Sequence, residues 1–78
     1  MPVVLLFAQA REAAGGRSVR VEGATVAEVV ADLSERFGPA MADVVGASRI
    51  WVNGDPAEDT QAVGEDDEVA VVPPVSGG

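Results

Sequence analysis

Seventy-eight residues with thirteen acidic side chains against five arginines, a net charge of −8, make one small acidic domain. A chain of this length buries about 60% of its unfolded surface, and a hydrophobic content of 47% supplies a core and excludes a disordered polyelectrolyte. The absence of cysteine, histidine, lysine and tyrosine removes disulfides, the thiol nucleophile, the usual general base, the Schiff-base amine and the imidazole metal ligand.

The first element in chain order is the apolar, β-branched run Val3 to Gln9, "VVLLFAQ", which predicts a buried strand. Its apolar stretch, Val3 to Ala8, is too short for a signal core or a membrane span, so a cytoplasmic protein is expected. Ala10 to Gly16 can form about one helical turn before Gly15-Gly16 stops it. Arg17 to Glu22 then alternates, with Val19 and Val21 on one side, and predicts a strand pairing back on the first as a hairpin.

Thr25 to Glu28, "TVAE", has the capping-box pattern. Val26, Val29, Val30, Leu33 and Phe37 follow at helical spacing and mark one buried stripe. Asp32 and Arg36 form a favourable i, i+4 pair on the other side, and Gly38-Pro39 ends the helix. Ala40 to Gly46 allows a second short helical turn.

Arg49 to Val52 reads as a strand entering an Asn53-Gly54 turn of type I′, and Pro56 limits the return limb to a short edge strand. Alternation puts Trp51 on one face with Arg49, where it serves as a contact residue or as cover for the sheet edge. The acids Glu65 to Glu68 lack the spaced ligands of a calcium loop and make a solvated turn, so no metal site is expected. Glu68 to Val72 is the last strand.

Two hairpins around one amphipathic helix define an α+β roll. It is a mixed sheet of four to five strands over residues 1–72, with one main helix packed across one face. The first and last strands would lie parallel at its centre. Both are apolar at successive positions, so either Val4, Leu6 and Ala8 or Val3, Leu5 and Phe7 face away from the helix as an apolar docking patch.

An acidic surface of this kind is poorly suited to nucleic acid or anionic membranes. It is either steered toward a basic protein groove or simply solvated. The serines and threonines lack a histidine or lysine to take their protons, so the chain is not expected to be an enzyme by itself.

Residues 73–78, "PPVSGG", form a separate functional tail. Pro73-Pro74 stop the strand ladder and hold the chain extended. The six residues reach about 20 Å at ~3.3 Å each. Gly77-Gly78 carry no Cβ and can thread a narrow channel. The tip presents a carboxylate that reacts only after joining to AMP, when a sulfur nucleophile converts it to a thiocarboxylate.

"LLFAQAREAAGG", the capped helix, "VNG" and above all "DDEVAVVPPVSGG" resemble the small, sulfur-carrying subunits of molybdopterin synthase, ubiquitin-like β-grasp carriers. The resemblance spans essentially the whole chain. It implies that Gly78 is adenylated by a ubiquitin-activating-enzyme-like adenylyltransferase consuming ATP. It implies further that Gly78, thiolated through a sulfur donor protein, donates sulfur to cyclic pyranopterin monophosphate in molybdenum cofactor biosynthesis. Gly77, Ser76, Val75, Pro74 and Pro73 would thread into the large synthase subunit, with Phe7, Arg11 and Val72 on the docking surface and no cofactor bound to the carrier. Arg11 matches the "RE" after the first strand; a local ion pair with Glu12 or a nearby acid is its alternative. Where relatives have an aromatic residue before the two prolines, this chain has Val72. Carriers for thiamine or cysteine biosynthesis and ubiquitin-like protein modifiers share the terminal Gly-Gly and stay open as alternatives.

Overall fold

The computed structural model of the chain describes residues 1–74; the tail positions Val75, Ser76, Gly77 and Gly78 lie outside the described residues. The elements are β1 (Val3–Leu6), α1 (Ala8–Ala14), β2 (Ser18–Arg20), α2 (Val26–Phe37), α3 (Pro39–Ala47), β3 (Arg49–Val52), β4 (Asp55–Pro56) and β5 (Glu68–Val72).

The strands form one mixed sheet in the order β2-β1-β5-β3-β4. β1 and β5 run parallel at its centre, in the register Val3↔Glu68 to Leu6↔Val71. β2 pairs antiparallel with β1, and β3 pairs antiparallel with both β5 and β4. Both expected hairpins and the expected parallel pair are present. Asn53 and Gly54 take positive φ values of 51° and 84°, as a type I′ turn requires.

α2 is built as its sequence pattern dictates. The Thr25 hydroxyl accepts the Glu28 N–H at 3.2 Å. Glu28 reaches back to the Ala24 N–H at 3.4 Å, one residue before the N-cap position that a capping box would use. The segment 57–67 satisfies two more of the helix's free donors, with Val26 N–H bonded to the Gln61 carbonyl and Ala27 N–H to that of Asp59. Val26, Val29 and Leu33 are fully buried, and Val30 and Phe37 pack against them from the rim. The Asp32–Arg36 pair forms at 3.1 Å. It also bridges out of the helix: Asp32 accepts the Glu22 N–H, and Arg36 donates to the Arg20 carbonyl.

Two expectations are corrected. The first strand ends at Leu6 rather than Gln9, because β2 supplies register partners only as far as Leu5 and Pro73 has no N–H to continue the ladder beyond Val72. The chain instead turns at Ala8, held at φ 47°, into a seven-residue α1. The second correction is α3. It is a nine-residue helix rather than a short turn, started by Pro39 at its first position. Met41 and Val45 at i and i+4 are buried against the core. The sheet therefore carries three helices on one face, with Ala10 of α1, Leu33 of α2 and Met41 of α3 in one cluster with Val4, Leu6, Val69 and Val71.

The structure also gives Gly23 a role. A Cβ there would meet the Val29 nitrogen at 2.7 Å, so glycine is what lets the β2–α2 connection pass over the helix.

The apolar patch is assigned by the same geometry. Val4 and Leu6 face the helices at 0% and 1% exposure. Val3 and Leu5 point to the opposite face and are half-buried, and Phe7 beyond them is 40% exposed.

Candidate functional site

The predicted site residues that fall within the described chain gather at one end of the sheet, where β1 and β5 both finish. Leu6 and Val71 are register partners, so Phe7 and Val72 stand side by side one step further on. Phe7 is extended, at φ −122° and ψ 153°, and occupies the N-cap position of α1 with no side-chain cap. The positive φ of Ala8 is a conformation that costs an L-residue about 1–2 kcal/mol and turns the chain sharply into α1 directly after Phe7.

Arg11 lies on the first full turn of α1, and its Nε donates to the Leu6 carbonyl at 3.5 Å. The alternative ion pair with Glu12 does not form; the ion pair among the described residues is Asp32–Arg36. The Leu6 N–H donates to the Arg17 carbonyl, so the end of β1 is tied on both sides to arginine-bearing segments.

Val72 is half-buried, and Pro73 is buried while Pro74 is exposed. Pro73 and Pro74 form one wall of a shallow, mainly apolar groove of about 210 Å³, whose other lining residues are Gln9, Asp43, Val44 and Ala47. Pro73 is packed beside α1 and α3, and Pro74 is exposed at the rim of the groove.

Several side chains able to perform chemistry are engaged in structure. The hydroxyls of Ser34 and Ser48 donate to the carbonyls of Val30 and Val44, and Thr25 caps α2. The acidic run is tied into the fold as well. Asp67 accepts from the Gly64 N–H at 2.7 Å and from the Asn53 side-chain amide at 2.9 Å. These donors, the Gly64 N–H foremost, lower its carboxyl below the ordinary 3.8. Asn53 also accepts the Glu68 N–H, which locks the β3–β4 turn to the start of β5. Among the described residues no group of acids is placed to hold a metal ion, and no helix is long and apolar enough to cross a membrane.

Trp51 is half-buried on the open face of the sheet, between Ala70 of β5 and Pro56 of β4. It covers the edge strand and keeps part of its ring surface outward. Arg49, its neighbour on that face, stands opposite Val72.

A mixed sheet with a central parallel pair, helices on one face and a tail leaving the final central strand defines a ubiquitin-like β-grasp carrier. Comparison with known proteins supports that class. The profile of the ThiS family matches residues 4–78, and the chain belongs to the ThiS family. It is 33% identical over 78 residues to the molybdopterin synthase sulfur carrier subunit of Arabidopsis thaliana, covering 96% of this chain and 80% of that protein. The solution structure of small archaeal modifier protein 1 from Methanosarcina acetivorans superposes with a TM-score of 0.87 at 30% identity, covering 97% of this chain and 94% of that one. A chain of the Amycolatopsis orientalis BexX/CysO complex superposes with a TM-score of 0.83 at 26% identity, over all of both chains.

Proposed function

We propose that this ThiS-like sulfur carrier is the small subunit of a molybdopterin synthase, a cytoplasmic protein that supplies sulfur and leaves catalysis to its partners. The observation that carries this reading is the 33% identity to the plant molybdopterin synthase sulfur carrier subunit over 96% of this chain, with "PPVSGG" directly after the last central strand. Residues 1–72 present the tail, and residues 73–78 act. An adenylyltransferase joins the Gly78 carboxylate to AMP from ATP, releasing pyrophosphate. A sulfur nucleophile then displaces AMP and leaves a thiocarboxylate. Insertion of Pro73 to Gly77 into a large subunit brings that sulfur to cyclic pyranopterin monophosphate, and Phe7, Arg11 and Val72 make the contacts beside the tail root. The carrier itself holds no cofactor.

The similarity to small archaeal modifier protein 1 favours a second reading, covalent attachment of Gly78 to amines of other proteins. A chain without lysine cannot extend such conjugates on itself through isopeptide bonds.

The chain expressed with its native activating machinery and weighed intact tests the two readings. We expect a mass gain equal to one oxygen replaced by sulfur, lost when Gly78 is deleted, and rescue of a molybdoenzyme defect by the intact chain only. Gly78-dependent conjugates without a thiolated free form would replace the carrier by the modifier. An unmodified chain under conditions that thiolate a known carrier would overturn both.

A further inference from the structure

The chain's only asparagine, Asn53, stands directly before Gly54 in an exposed turn. An asparagine so placed can lose its side-chain amide without an enzyme, when the backbone nitrogen of the next residue attacks the amide carbon. Glycine favours the attack because no side chain shields its nitrogen, and a Cβ built on Gly54 would meet nothing within 4 Å. Yet both polar atoms of the Asn53 side chain are engaged. Nδ2 donates to Asp67 Oδ1 at 2.9 Å, and Oδ1 accepts the Glu68 N–H at 2.9 Å. The Asn53 backbone N–H donates to the Glu68 carbonyl at 2.8 Å. Asp67 is itself held, because its second carboxylate oxygen accepts the Gly64 N–H at 2.7 Å. A type I′ turn needs none of these side-chain bonds.

We propose that Asn53 is a latent deamidation site, kept unreactive in the folded chain by the clamp of Asp67 and Glu68. The amide carbon reaches the Gly54 nitrogen only when the side chain swings out of the clamp, which breaks both side-chain bonds together. In the reaction the bond from the Gly54 nitrogen to Asn53 Cγ forms, the Cγ–Nδ2 bond breaks, and the amide nitrogen takes the Gly54 proton and leaves as ammonia. Water then opens the cyclic imide. Breaking the new Cγ–N bond leaves aspartate, whereas breaking the original backbone bond leaves isoaspartate, with the main chain rerouted through the side-chain carbons.

Either product undoes the clamp. Aspartate sets a second carboxylate against Asp67 where the amide had donated, and the like charges repel. Isoaspartate lengthens the backbone of a two-residue turn whose Val52↔Asp55 register has no place for an extra atom. The damage falls on the β3–β4 turn and the start of β5, while the tail beyond the other end of β5 keeps its covalent structure. Deamidation therefore limits the lifetime of the fold rather than the chemistry of the tail, whichever partner the tail serves.

The test uses the full chain in neutral buffer, with the same chain unfolded in urea as reference. Intact mass reports replacement of one NH by O, and cleavage after Arg49, the last arginine, isolates the fragment that carries Asn53. We expect the folded chain to deamidate at least about tenfold more slowly than the unfolded one, because reaction waits on local opening. Asp67→Ala should speed the folded chain about tenfold, the size of one hydrogen bond to a charged acceptor; Asp67→Ser should act with the same sign and replaces it if Asp67→Ala does not fold. Thr25→Ala, which weakens the α2 cap and leaves the clamp intact, should change the rate by less than about twofold. Asn53→Asp should lower the melting temperature by about 4–8 °C, a shift readily measured in a domain of this size. Equal rates in the folded and unfolded chains would show that the clamp protects nothing and overturn the proposal. Equal acceleration by Thr25→Ala and Asp67→Ala would also overturn it, since global unfolding would then set the rate. An Asn53→Asp chain as stable as the wild type would overturn the stated consequence for the fold.

Discussion

The two faces of the sheet are made of the same kinds of residue and do opposite work. On the covered face, Val4, Leu6, Val69 and Val71 are fully enclosed by α1, α2 and α3 and hold the fold together. On the open face, Val3, Leu5, Ala70 and Val72 alternate with them along the same strands, yet stay half-buried beside Trp51, Arg49 and the exposed Phe7. An apolar side chain on the first face stabilises the domain by leaving water. On the second it stays partly in water, so the same burial gain is still available there. The difference is one of phase along a strand, and it separates stability from function within a single pleat.

Substitutions on the two faces should separate in the same way. Leu33→Ala removes a fully enclosed side chain and should cost about 2–5 kcal/mol in urea unfolding, with thiolation falling only as far as the fold is lost. Phe7→Ala, on the exposed side, should leave stability within about 0.5 kcal/mol while slowing thiocarboxylate formation. Equal losses of stability in the two variants would erase the distinction between the faces. Thr25→Ala removes the bond to the Glu28 N–H and should cost about 1 kcal/mol, read as a lowered melting temperature with unchanged affinity for the adenylyltransferase. The smallest effect belongs to Asp67. Its carboxyl titrates below the ordinary 3.8 in the folded chain, so its contribution is complete above that value and fades as the pH falls through the lower folded one. Asp67→Asn should therefore flatten the acid limb of a melting-temperature profile between roughly pH 5 and pH 2. An unchanged limb would show that the Gly64 and Asn53 bonds do not stabilise the ionised form.

Much of this was legible in the chain, where the signals are local. Thr25 and Glu28 mark a helix start by chemistry within one turn, and Asn53-Gly54 marks a hairpin because positive φ is needed at both positions. Alternation already paired Arg49 with Trp51. Ala8 to Ala14 and Pro39 to Ala47 were underread because their helices are short and alanine-rich and owe their stability to packing. Gly23 was missed because the close approach of Val29 is visible only once α2 is seated. Of the candidate site, Phe7, Arg11 and Val72 lie at one end of the sheet, and Pro73 is packed against the groove beside α1 and α3.

By itself, the order of residues determined the capped helix α2, the Asn53-Gly54 hairpin, the interruption of the last strand by Pro73-Pro74, and the absence of any thiol, imidazole or amine side chain for catalysis. Local propensity and covalent chemistry suffice for those. Only the tertiary structure decided which side of β1 and β5 is covered, because a run of consecutive apolar residues carries no phase until helices settle on one face. It also decided that Arg20 and Arg49, 29 positions apart in a chain of net charge −8, share the uncovered one. Their neighbourhood comes from pairing β1 with β5 across most of the chain, and contacts of that range leave no periodic trace in sequence.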